Sequence, residues 1–209
     1  MSRTYNQYCG VARALDLVGE RWALLVVRGL VLGPKRFTDL KAELPGIGTN
    51  VLAARLRELE ENNVVRRRRL PPPAASTVYE LTEYGRELRS ALLALGRWGA
   101  KTLGPRQEEQ ALRSEWLAVA LTAFFRPEAA ARAEASLELR LTDGTYSARI
   151  DRGELEIRPG EREGADLVLT TDDETLIAYL AGAPVPPEAL RPEGDEELLR
   201  RLPELFAFG

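Results

Sequence analysis

Residues 64–81 read VVRRRRLPPPAASTVYEL. Two strand-like runs, 64–70 and 77–81, flank a stretch of prolines and small residues at 71–76, which predicts a β-hairpin. Strand alternation puts Arg66 and Arg68 on one face and Arg67 and Arg69 on the other. What precedes the hairpin gives it meaning. In NVLAARLRELEEN (50–62) Leu52, Leu56 and Leu59 share one helical face. The opposite face carries Asn50, Ala53, Ala54 and Arg57. Thr49 is placed as the cap of this helix. A shorter helix, RFTDLKAEL (36–44), comes before it, and Pro45-Gly46-Ile47-Gly48 joins the two by a turn. Helix, turn, capped helix and hairpin in that order predict a winged helix-turn-helix.

That pattern has a chemistry. Small residues let a helix approach the floor of the DNA major groove, and Asn and Arg side chains can read base edges there. Arginines on a two-stranded arm supply phosphate contacts that do not depend on sequence. The candidate DNA contacts are Arg36, Thr38, Thr49, Asn50, Ala53, Arg57, Arg66, Arg67, Arg68 and Arg69. The plain alternatives are a solvated amphipathic helix and a charge run that solubilises an edge strand.

The charge balance favours the first reading. The chain of 209 residues has a net charge of −3. Residues 1–104 carry 17 Lys/Arg against 10 Asp/Glu, a net of +7, and residues 105–209 carry 12 against 22, a net of −10. Such asymmetry predicts two domains with different partners, at 1–104 and 105–209. The basic one suits a polyanion and the acidic one would be repelled by it.

Other classes fall away. There is no histidine and one cysteine, Cys9. Histidine-dependent nucleophile arrangements, imidazole zinc sites and an internal disulfide are therefore excluded. The acids Asp172, Asp173 and Glu174 open a predicted helix, where capping and the helix dipole account for them better than catalysis does. No catalytic activity, metal or cofactor is expected. No apolar run is long enough for a bilayer, and MSRTYNQYCG lacks a signal-peptide layout. A soluble, cytoplasmic protein without a membrane partner is expected.

Around the central pattern, VARALDLV (11–18) and RWALLVVRGLVL (21–32) read as helices, the second buried nearly all round. Thr82 is placed as the cap of a long helix over about 83–102. Its stripe of Leu88, Leu92, Leu95 and Trp98 is either more core or a homodimer seam. A seam would set two recognition helices on a pseudo-palindromic double-stranded site.

PRQEEQA (105–111) reads as a linker. Beyond it come a helix, LRSEWLAVALTAFF, and four strand-like runs at 136–141, 145–151, 154–160 and 165–171. Asp143-Gly144 and Arg152-Gly153 stand at turns. A helix at 172–182 and a last helix interrupted by Pro203 complete it. The fold class expected is α+β: a winged helix-turn-helix domain, then an α+β domain with a four-stranded antiparallel sheet and packed helices.

Several motifs of the first half carry a family resemblance. They are Cys9, Leu15 through Trp22 (LDLVGERW) and Gly33 through Leu40 (GPKRFTDL). Pro45-Gly46-Ile47, Leu52 with Arg55 through Glu60 (RLRELE), Tyr79 through Gly85 (YELTEYG) and Trp98 follow in order. Over residues 8–104 the chain resembles the HxlR family of bacterial winged-helix regulators, relatives of the MarR group. The resemblance implies a dimeric DNA-binding transcription factor whose terminal helices form the dimer. Some members sense oxidants or electrophiles at the cysteine matching Cys9, although here Gly10 follows where the family usually has proline. The two readings of Cys9 are a redox sensor and a buried structural thiol.

The second half resembles the sterol-carrier-protein fold. That resemblance implies an apolar cavity for a lipid-like or acyl ligand, with Trp116, Phe124, Phe125, Tyr146, Leu169, Tyr179 and Phe206 as candidate lining. The plain reading of these seven is ordinary core. The alternative function is a lipid or acyl carrier whose basic half docks a partner other than DNA.

Overall fold

The computed structural model describes residues 4–208. The chain divides into two compact units that part between Leu92 and Leu93. That division lies inside a helix, twelve residues before the boundary the linker-like composition suggests.

In the first unit α1 (Gly10–Val18), α2 (Ala23–Leu30), α3 (Phe37–Glu43) and α4 (Thr49–Glu61) are followed by β1 (Val65–Arg69), β2 (Thr77–Leu81) and the start of α5 (Glu83–Ala100). One apolar core explains their arrangement. Val26, Val27 and Leu30 of α2 meet Leu40 and Leu44 from the α3 region and Leu52, Leu56 and Leu59 of α4. Each such side chain removed from water stabilises the unit by about 1.5–3 kcal/mol. The leucine face of α4 is thereby committed inward, and the opposite face is left outward.

Helix α4 begins one residue earlier than expected. Gly48 is the N-cap, and Thr49 is the first helical residue without a side-chain cap bond. Its hydroxyl is therefore not spent on the helix end. Thr82 does cap α5, accepting from Gly85 N–H at 2.9 Å and donating to the Asn63 carbonyl at 2.6 Å. The first turn of α5 is pressed against backbone. A Cβ on Gly85 would lie 2.0 Å from the Val64 carbonyl oxygen, so only glycine fits.

β1 and β2 pair antiparallel with Arg66 opposite Glu80 and Arg67 opposite Tyr79. Lys35 forms a further antiparallel bridge to Tyr79. That bridge flanks β2 on its second side and ties the hairpin to the residues just before α3. One residue is too short a strand to leave a periodic signal.

The second unit holds the rest of α5, α6 (Ser114–Phe124), β3 (Glu134–Leu141), β4 (Gly144–Asp151), β5 (Glu154–Pro159) and β6 (Leu167–Thr170). It ends with α7 (Asp173–Leu180), α8 (Pro187–Leu190), β7 (Pro192–Gly194) and α9 (Glu196–Leu205). The expected four-stranded antiparallel sheet is corrected here. The sheet has five strands in the order β5-β4-β3-β6-β7, and β6 runs parallel to β3. Residues 160–166 are not a hairpin turn. They carry the chain past β4 and β3, about 14 Å at ordinary strand spacing. The Arg162 N–H donates to Glu138 Oε2 at 2.6 Å. Glu138 lies on the face opposite Leu137 and Leu139, yet it is buried, because the crossing segment covers it.

Register aligns the apolar rows. Leu137 pairs with Ala148 on one side and Leu167 on the other, and Ala148 pairs with Ile157. Leu117 and Leu121 of α6, Leu176 and Leu180 of α7, and Leu198, Leu202 and Leu205 of α9 are buried with this apolar face.

Pro203 does not interrupt the last helix, which continues through it to Leu205. A helical proline leaves the carbonyl four residues earlier without its amide partner. That carbonyl belongs to Leu199, and the Tyr179 hydroxyl donates to it at 2.8 Å. A side chain from α7 thus replaces the missing bond. Among the described residues no helix is long and apolar enough to cross a membrane.

Candidate nucleic-acid interface

The outward face of α4 carries Thr49, Asn50 and Arg57 exposed, with Ala53 half-buried between them. The same unit brings Arg36 and Thr38 to the start of α3, both exposed. Arg36 Nε donates to Ser76 Oγ at 3.1 Å, which joins the start of α3 to the hairpin loop. The Arg36 amide donates to Asp39 Oδ2 at 3.0 Å, and the Thr38 hydroxyl to Asp39 Oδ1 at 3.3 Å. Helix, hairpin and the start of α3 are therefore held as one piece.

All four hairpin arginines are exposed. Their partners follow the strand alternation. Arg66 Nε and Arg68 Nε donate to the two oxygens of Glu80, at 2.8 and 2.9 Å. On the other face Arg67 Nε donates to Glu60 Oε1 at 2.9 Å, which ties the hairpin to the last turn of α4. Burial acts to raise the Glu80 carboxyl, but the hydrogen bonds and charges of Arg68 and Arg66 together hold it below its ordinary value. The hydrogen bond to Glu60, and then its charge, hold Arg67 above its ordinary value. Glu80 and Glu60 are site residues that sequence reasoning missed. The signal for Glu80 was available: on the predicted hairpin it falls opposite the arginine run.

Cys9 is exposed at the N-cap of α1, which sets aside the buried structural thiol. Its thiol sits below the ordinary value. The backbone N–H groups of Ala12 and Val11 are the cause, because they favour the thiolate at the helix start. No neighbouring cation is needed.

The seven aromatic and apolar candidates of the second unit are scattered. A small cavity of about 10 Å³ lies between the sheet and the helices, walled by apolar side chains including Leu121, Leu137, Ile157, Leu176, Leu202 and Phe206. Of the seven, Phe206 lines it. The Phe125 ring packs tilted against Phe206, centroids 5.7 Å apart, and Phe124 against Phe208 at 4.8 Å. Leu169 and Tyr146 are buried in the sheet, and Trp116 is half-buried. Tyr179 is engaged with the Leu199 carbonyl.

The first unit has the build of a winged helix-turn-helix, and comparison with known proteins agrees. The HxlR-like helix-turn-helix family model matches residues 17–107. Over 92 residues the chain is 37% identical to the HTH-type transcriptional regulator YodB of Bacillus subtilis, covering 44% of this chain and 82% of that protein. It is 43% identical over 98 residues to the uncharacterized HTH-type transcriptional regulator Rv3095 of Mycobacterium tuberculosis, covering 47% of this chain. The chain spans 61% of that relative's length. The solved reduced form of YodB superposes with a TM-score of 0.41 at 34% identity, covering 48% of this chain and 100% of that one. Sequence identity settles the family: the chain belongs to the HxlR family of helix-turn-helix proteins.

Proposed function

We propose that the chain is a sequence-specific DNA-binding transcriptional regulator acting as a homodimer on a pseudo-palindromic operator. The observation that carries this reading is the outward face of α4, with Asn50 and Arg57, fixed beside an arginine-bearing hairpin in a basic unit. Asn50 and Arg57 serve as base readers with Ala53 allowing close approach, and Thr49, Thr38, Arg36 and the hairpin arginines meet phosphates. The relatives' description as HTH-type transcriptional regulators supports it. The dimer is supported by α5, where Leu95 and Trp98 stand 48% and 72% exposed. Large apolar side chains grouped on one exposed helix mark a contact surface.

Titration of a labelled duplex from upstream of this chain's own coding sequence, against an unrelated duplex and at several salt concentrations, tests the reading. Tight, selective binding that weakens steeply with salt is the expected result. Binding no better than to the unrelated duplex would mean that the operator lies elsewhere or that the basic half docks another partner, and binding indifferent to salt would favour the carrier reading.

Cys9 is proposed as an oxidant-responsive thiol, since it is exposed and its thiolate is favoured. A Cys9→Ser chain whose DNA binding still responded fully to oxidant would remove that role. The second unit is proposed as a sterol-carrier-like module for an apolar ligand, supported by the wholly apolar wall of its cavity. A cavity of that size holds no more than about one water, so a ligand would have to open it. Repeating the titration with a long-chain fatty acid tests this. Unchanged binding would leave the unit an accessory domain.

A further inference from the structure

We propose that Glu80 restrains indiscriminate phosphate binding by the hairpin, by holding Arg66 and Arg68 together on one carboxylate. The proposal rests on the DNA-binding reading and gives one residue a part in its selectivity.

The geometry is specific. Glu80 lies directly across the strand pair from Arg66, and Arg68 is on the same face two residues along. Oε1 accepts from Arg66 Nε at 2.8 Å, with Arg66 Nη2 also 2.8 Å away, and Oε2 accepts from Arg68 Nε at 2.9 Å. The Glu80 side chain is only 13% exposed, against 60% and 45% for the two arginines. The reason is its place on β2, which has β1 on one side and the Lys35 bridge on the other. A carboxylate so enclosed is screened less than one in a surface ion pair.

Two consequences follow. The face carries one net positive charge rather than two, which weakens its attraction for any phosphate. The guanidinium groups are also fixed in direction, and the N–H groups not used on Glu80 remain for a phosphate at a defined place. A randomly placed duplex loses by both effects. A duplex already registered by α4 loses less, because its phosphates fall where the groups point. Arg67 is held more loosely, since its partner Glu60 is 31% exposed.

The test is the salt dependence of binding to an unrelated duplex by wild type, Glu80→Gln, the charge control Glu87→Gln and the double variant E80Q/R68Q. Glu87 is exposed on α5 and is not paired with any of the hairpin arginines in the ion pairs described above. Glu80→Gln should bind more tightly, and its slope of log K against log salt should steepen by about 0.9 for one released charge. Glu87→Gln should keep the wild-type slope, and the double variant should return to it. A Glu80→Gln slope equal to wild type or to Glu87→Gln overturns the proposal while leaving DNA binding intact. So does a double variant that stays as steep as Glu80→Gln. A wild-type chain without salt-dependent binding would instead remove the DNA-binding reading and this proposal with it.

Discussion

Asp173 opens α7 with a buried carboxyl beside Ser114, whose hydroxyl donates to it at 3.0 Å. Burial is the main reason that its acid is weaker than usual; the charges of Asp143 and Asp172 add to this, and hydrogen bonds from Ser114 and Thr142 act against it. The folded chain therefore holds this proton more tightly than the unfolded chain does. The stability that proton brings is complete below the ordinary aspartate range. It is lost as pH rises through the raised folded value. Asp173→Asn should then be more stable than wild type at neutral pH, with the difference closing in acid. Thermal midpoints of both proteins from pH 3 to 7 check this, and a difference that did not depend on pH would contradict it. Its neighbour Asp172 behaves in the opposite way. It is the true cap, accepting from the Thr175 hydroxyl and amide at 2.7 and 2.8 Å, and those bonds hold it below its ordinary value. Adjacent acids read alike in sequence, and burial of the one and capping bonds to the other separate their roles.

At the scale of the element, the proposed function divides a DNA contact between the hairpin and α4. Replacing Arg66, Arg67, Arg68 and Arg69 by alanine should weaken binding to every duplex alike and flatten the salt slope. The loss of slope should be smaller than the roughly 3.6 expected for four free charges, because Glu80 and Glu60 already offset part of them. Asn50→Ala or Arg57→Ala should leave that slope nearly unchanged and cost about 1–3 kcal/mol of discrimination between bases. Competition titrations with single-base variants of the operator separate the two effects. Undiminished binding by the arginine-less chain would show that the hairpin does not touch DNA. The hairpin and α4 were both legible, because alternation and helical spacing are local. The Arg67–Glu60 pair was not, because it depends on where α4 ends against the hairpin, whereas Glu80 opposite the arginines could have been read from the hairpin register. The start of α4 was misplaced by one residue, since Thr and Gly are both acceptable caps and the sequence cannot choose between them.

Across the whole molecule, legibility fell from the first unit to the second. The helix-turn-helix follows from patterns a few residues apart, and the family motifs reinforce them. The second sheet does not. Alternating runs predict strands and turns predict hairpins, but nothing local says that β6 should pass β4 and lie along β3. Pro192-Glu193-Gly194 is too short to read as a strand at all. Of the residues that the second resemblance offered for a pocket, most are taken up by tilted ring pairs, by the sheet or by the carbonyl that Pro203 leaves open. The parallel pairing also has a bearing on the order of assembly. Leu137 meets Leu167 across thirty residues of chain, whereas Arg69 meets Thr77 across eight. Closing the longer loop costs more entropy before any contact rewards it. The two hairpins of β3, β4 and β5 have to stand first, so that the crossing segment has Glu138 to settle on and β6 has an edge to join. β7 can only follow β6. During synthesis the helix-turn-helix would thus be complete while this sheet still awaited its last two strands, and the apolar face of β3 would stay partly open to water until α7 and α9 followed.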